Sequence, residues 1–101
     1  MNLRRKKARR VLLNHRKKLL KFDFENEECG FEENALAYCL LKMRETDVEL
    51  FEILYFYKIR DNTIGNTSTR FNCSPRLIDT KVAKAYDLLN SIFEDSGYYD
   101  I

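Results

Sequence analysis

The stretch Thr63-Ile64-Gly65-Asn66-Thr67-Ser68-Thr69-Arg70-Phe71-Asn72-Cys73-Ser74-Pro75-Arg76-Leu77-Ile78-Asp79-Thr80-Lys81-Val82 carries two helix signals separated by a very short turn. Asp61, Asn62 and Thr63 offer N-cap oxygens for a helix over 63–71, with Ile64, Ser68 and Phe71 at i, i+4 and i+7. Ser68 is the small residue at mid-helix that lets a crossing helix approach. Asn72 sits where a helix ends in a tight turn, a position that wants a residue tolerant of positive φ. Cys73 then points inward as a small apolar plug. Ser74 is a strong N-cap, and Pro75 at the first helical position loses no hydrogen bond. The following helix is predicted over 75–93. Ile78, Val82, Ala85 and Leu89 form its inner stripe, and Tyr86, Ile92 and Phe93 extend it. Arg76, Asp79, Thr80, Lys81 and Lys84 lie on the other side of its first turns.

Two amphipathic helices and a turn also occur in any generic helical bundle. Helix length, the short turn, the small mid-helix residue and the cap-plus-proline start are what favour a helix-turn-helix. In that motif the first turns of the second helix read base edges in the major groove.

Working towards the N-terminus, residues 47–58 contain Leu50, Phe51, Ile53, Leu54, Phe56 and Tyr57, apolar over most of a helix circumference. This helix is expected to be the central, most buried one. Thr46 and Glu49 before it have the spacing of a capping box. A helix over 31–44 precedes them, with Phe31, Ala35, Tyr38, Cys39 and Met43 inward. The acidic, polar stretch 23–30, ending at Gly30, reads as a linker or frayed turn. Residues 3–22 read as one basic amphipathic helix with Ala8, Leu12, His15 and Leu19 on its apolar stripe. His15 there is expected to be a packed core-edge histidine. At the other end, 95–101 is a tail whose large side chains Tyr98, Tyr99 and Ile101 either fray, pack back on the core or meet a second copy.

Composition sets the frame. A chain of 101 residues with 45% hydrophobic content suits one domain. The fold class expected is all-α, a small bundle of four to five helices with a C-terminal helix-turn-helix spanning 31–94. Asn-Gly and Asp-Gly hairpin turns and alternating runs are missing. With three widely spaced cysteines and one histidine, zinc-site spacing is absent, so no metal and no cofactor are expected. The thiols are expected to be reduced and mostly buried. No run is apolar enough to span a bilayer or serve as a secretory signal, so a cytoplasmic protein without a membrane partner is expected. With no second histidine for a relay and no phosphate-cradling glycine loop, catalysis is not expected.

Charge is distributed unevenly. Residues 1–21 hold ten basic and no acidic side chains, and the rest hold eight basic against sixteen acidic, a balance of −8. A basic block on an acidic body is a statement about partners. Nucleic-acid backbone contact is the favoured reading, through Arg4, Arg5, Arg9, Arg10 and Arg16. The alternatives are an electrostatic clasp on the protein's own acidic body or on an acidic partner, and a membrane-surface helix.

From Phe31 to Phe93 the chain resembles the fourth region of bacterial sigma factors. It is similar in particular to the small phage and mobile-element activators of the autolysin-regulator and late-gene-activator families. The matching text is Glu49-Leu50-Phe51-Glu52-Ile53-Leu54-Tyr55-Phe56, then Ile64, Ser68 and Phe71-Asn72-Cys73-Ser74, then Ile78, Ala85 and Leu89. Thr67 and Lys81 stand where the family usually has apolar residues. The resemblance implies a phage- or mobile-element-encoded transcriptional regulator that docks residues 75–84 in a promoter. The family's base-reading positions fall on Pro75, Arg76, Asp79 and Thr80, of which Arg76, Asp79 and Thr80 are expected to read bases, with Lys84 toward the backbone; Arg70, Ser74 and Lys81 are further expected backbone contacts. Double-stranded DNA is the implied partner, with RNA polymerase and a second copy as further candidates. The alternative is a protein-interaction module of the same fold that binds RNA polymerase or a phage packaging component, with weak or no DNA binding.

Overall fold

The computed structural model describes residues 3–26 and 28–98, and these contain six α-helices and no strand. They are α1 (Leu3–Asn14), α2 (Arg16–Lys21), α3 (Ala35–Thr46), α4 (Val48–Leu54), α5 (Ile64–Phe71) and α6 (Pro75–Ser96). No helix among the described residues is long and apolar enough to cross a membrane.

The helix expected over 3–22 is broken at His15, whose φ of −107° and ψ of 9° leave the helical region. Asn14 and His15 are both weak helix formers. The break lets α1 lie along α6 while α2 reaches the segment Tyr55–Ile59 that follows α4. Ala8, Val11 and Leu12 of α1 and Leu19 of α2 are buried. The radius of gyration, 12.9 Å, matches the roughly 13 Å of a folded 100-residue domain, so α1 does not project as an arm. The chain is pinned just after α2 as well. Phe24 is buried, meeting Phe51 and Tyr55 edge-on, and Arg44 donates to its carbonyl at 2.5 Å.

α3 starts later than its apolar pattern suggests. Asn34 accepts from the Ala37 N–H at 3.1 Å and fixes the start, leaving Phe31 in a turn, edge-on to Tyr38. The capping box expected at Thr46 and Glu49 does not form. Asp47 is the N-cap of α4, accepting from the Leu50 N–H at 3.1 Å, and Thr46 donates back to the Lys42 carbonyl. α4 continues through Tyr55–Ile59 as one wide turn, closed by the Arg60 N–H on the Tyr55 carbonyl at 2.8 Å. That is an i→i+5 bond, of the kind that often marks a functional position.

The core is organised around α6, which packs against α1, α3, α4 and α5, and not around the 47–58 helix as its apolar circumference suggested. α6 has 22 residues and keeps an apolar stripe over its whole length, from Ile78 to Phe93. It ends three residues beyond expectation, at Gly97 with φ +73°. The Tyr98 N–H returns to the Phe93 carbonyl at 2.9 Å, and Tyr98 stacks on Phe93. Tyr98 therefore packs back on the core. Tyr99, Asp100 and Ile101 lie outside the described residues.

Two polar side chains are buried and satisfied. Thr67, the departure from the apolar pattern of α5, is fully buried and donates to the Thr63 carbonyl at 2.8 Å. Thr67, not the half-exposed Ser68, is the residue of α5 lost from solvent. Asn90 donates to the Arg4 carbonyl, tying α6 to α1. Of the three cysteines, Cys39 is buried and Cys29 and Cys73 are half-buried, and none is in a disulfide. Burial pushes the Cys39 thiol up to about 11.

The turn between α5 and α6 follows the sequence chemistry closely. Asn72 adopts φ 52° and ψ 46°, and the Cys73 N–H returns to the Ser68 carbonyl at 3.1 Å. The Ser68 hydroxyl donates to the Cys73 carbonyl, and Cys73 packs against the core edge. Ser74 accepts from the Leu77 N–H at 3.2 Å with Pro75 at the first helical position. Replacing Asn72 by Ala is expected to cost about 1 kcal/mol, because a Cβ is disfavoured at positive φ unless the side chain bonds locally. Asn72→Gly is expected to change stability by no more than about 0.5 kcal/mol, both read by urea denaturation.

Candidate nucleic-acid interface

α6 buries Ile78, Val82, Ala85 and Tyr86, so the opposite side of its first turns faces solvent. Arg76, Thr80 and Lys84 are exposed there, and Leu77 beside them is 42% exposed. The Thr80 hydroxyl is held by the Arg76 carbonyl at 3.1 Å. Ser74 spends its side-chain oxygen on the cap, leaving an exposed helix start. Arg70 lies at the end of α5, its guanidinium 4.8 Å over the ring of Phe56.

The other residues expected at this face lie on its flanks. Lys81 is half-buried, and its ammonium donates to Glu49 of α4. That bond raises its pKa. Asp79 is exposed on the other flank, at the rim of a cavity it shares with Arg9 of α1 and Lys58 of the wide turn. The face left outward is therefore Arg76, Leu77, Thr80 and Lys84.

The basic N-terminal segment divides into two sets. Arg4 pairs with Glu94 at 2.7 Å, and Arg5 makes a two-pronged pair with Asp87 at 2.8 and 2.9 Å. Arg16 donates to the Ile59 carbonyl at 2.7 Å, satisfying a group at the end of the wide turn. These three act within the protein. Lys6, Lys7, Arg9, Arg10, Lys17, Lys18 and Lys21 are exposed and, among the described residues, are in no ion pair. α1 thus neutralises two carboxylates of α6 and sets Arg9 beside Asp79 and Val82 on the flank of that helix.

The Arg5 hydrogen bond holds the Asp87 carboxyl below its ordinary 3.8. Its stabilising effect is therefore complete above about pH 4, and falls away as pH drops through the lowered folded value. Acid unfolding of Asp87→Asn is expected to show a flatter limb below about pH 4 than the parent, as followed by circular dichroism.

A second cavity, of about 320 Å³, lies between the 22–25 segment, α4 and α5. Phe24, Phe51, Tyr55, Phe56 and Phe71 line it, with Arg60 and Arg70 among the charged residues. In the sequence Phe51, Phe56 and Phe71 read as inward helix faces and Phe24 as part of a linker, so nothing there marks the cavity. Among the described residues no three metal-ligating side chains come together. No protein-family model, no curated protein and no solved structure matches the chain.

Proposed function

We propose that this chain is a cytoplasmic DNA-binding regulator of transcription. α5, the turn at Asn72 and α6 act as its helix-turn-helix, and the first turns of α6 enter the major groove. The observation that supports this most is the solvent-facing set Arg76, Thr80 and Lys84 at a capped helix start. Arg9 of α1, in no ion pair among the described residues, lines a cavity with Asp79, Val82 and Ala83 on the flank of the same turns. Arg76 is the base reader in this account, since an arginine can grip guanine through two hydrogen bonds. Leu77 adds an apolar group of the kind that meets a thymine methyl. Lys84, Arg70, Arg9 and Arg10 take backbone phosphates, which position the protein without reading sequence. Asp79, turned towards Arg9 and Lys58, has a smaller part in base reading than its spacing suggested. The resemblance of residues 31–93 to the fourth sigma region, and through it to phage and mobile-element activators, fits this reading.

A second reading keeps the fold and changes the partner. The aromatic cavity beside Arg60 and Arg70 offers a protein partner apolar anchors on an acidic body. RNA polymerase or a packaging component would then be the target.

The test is a fluorescence titration of the full chain against random-sequence duplex and duplex from its own upstream region, at several salt concentrations. The regulator reading expects tighter binding to the upstream duplex and a steep salt dependence, about 0.9 in log–log slope per phosphate neutralised. Weak, equal binding to both duplexes would favour the protein-docking reading.

A further inference from the structure

On the flank of α6 lies a cavity of about 270 Å³, lined by Arg5 and Arg9 from α1, Lys58 from the wide turn, and Asp79, Val82, Ala83 and Tyr86 from α6. Arg5 is committed to Asp87. Among the described residues, neither Arg9 nor Lys58 has an ion-pair partner. The Lys58 ammonium rests 4.2 Å over the ring of Tyr57, and burial together with the nearby charge of Arg9 lowers its pKa. Two cations thus stand close enough to oppose each other, with the carboxylate of Asp79 beside them and that of Asp61 also acting on Lys58.

Tyr86 forms part of the same wall. It is 2% exposed, and among the described residues its hydroxyl is the buried side-chain polar atom without a hydrogen-bond partner. Burial pushes that phenol up to about 12, so it stays protonated and able to donate. A buried hydroxyl left without a partner is costly, and such groups are normally satisfied.

We propose that this cavity seats one tetrahedral, phosphate-type oxyanion, held by Arg9, Lys58 and the Tyr86 hydroxyl. A guanidinium, an ammonium and a phenol together present more donors than the two oxygens of a carboxylate match well. Four oxygens around one centre match them better. The volume lies just below the range of ordinary ligand pockets and takes a phosphate group with part of the molecule that carries it. The oxyanion has two sources with the same chemistry: a small phosphorylated compound, or a backbone phosphate of DNA bound at the neighbouring face. The second rests on the regulator reading and the first does not.

The test is titration of the full chain with inorganic phosphate in the absence of DNA. It is read by amide shifts of Lys58, Ala83 and Arg9 against sodium chloride at matched ionic strength. Saturable shifts are expected with phosphate and not with chloride. Tyr86→Phe, which keeps the ring in the core, should weaken binding about three- to tenfold. The Arg9→Gln, Lys58→Gln double variant should abolish it. Shifts that follow ionic strength alone, or unchanged phosphate affinity in Tyr86→Phe, would overturn the proposal. Added duplex that displaces phosphate assigns the seat to a DNA phosphate. Duplex that leaves phosphate bound, or fails to bind, assigns it to a small phosphorylated compound.

Discussion

Deleting residues 1–21 is expected to unfold the protein, not simply to strip it of positive charge. Val11, Leu12 and Leu19 are each at most 2% exposed. Fully burying such a side chain is worth about 1.5–3 kcal/mol. Three of them together approach the roughly 5–15 kcal/mol that separates a typical folded domain from its unfolded chain. The deletion also takes the Arg4 carbonyl from Asn90 and the Arg16 guanidinium from the Ile59 carbonyl, leaving polar groups on α6 and the wide turn without partners. Far-ultraviolet circular dichroism and urea titration of the truncated chain should show lost helicity and no cooperative transition. The single substitution Leu12→Ala is the milder form, expected to cost about 2–5 kcal/mol. A truncated chain that keeps a cooperative melt near the parent's midpoint would mean that α1 is an appendage.

Arg76→Ala should have the largest effect on recognition with the least on folding. The side chain is exposed, and among the described residues it has no salt bridge or side-chain hydrogen bond. Thermal stability should therefore move by less than about 0.5 kcal/mol. Losing a two-pronged guanine contact should remove about 1–3 kcal/mol of discrimination, roughly a 5- to 150-fold narrowing of the gap between upstream and random duplex. Lys84→Ala should instead weaken both duplexes alike and lower the salt slope by about 0.9. The two variants separate reading from positioning. Equal effects of Arg76→Ala on both duplexes would reduce Arg76 to a phosphate contact.

The turn at the centre of this account was legible because its chemistry is local. Asn72 takes up the left-handed backbone that its position called for, and Ser74 and Pro75 start α6 as their types require. What the sequence concealed is non-local. Periodicity gives the face of a helix that is buried, but not which neighbour covers its flanks. Thus Lys81 was grouped with Lys84, although Glu49, 32 positions away, holds it. Arg5 was grouped with Arg9, although Asp87, 82 positions away, holds it. Asn14 and His15 weaken the helix locally, but that the chain turns there reflects where α6 and the wide turn stand, which periodicity does not encode. The wide turn also hid Lys58, which read as one more surface lysine. Tyr86 was legible as core, yet its hydroxyl carried an unused clue, since a buried tyrosine normally finds a partner for it.

DNA binding by the first turns of α6 is tested by a map of amide shifts across the full chain on titration with a short upstream duplex. The largest changes are expected at residues 74–84 and along the exposed side of α1 at Lys6, Arg9 and Arg10. Arg76 and Thr80 should change with the upstream duplex and much less with a random one. Changes confined to Phe24, Tyr55, Phe56 and Phe71 around the aromatic cavity, or no changes near α6 at saturating duplex, would contradict that binding.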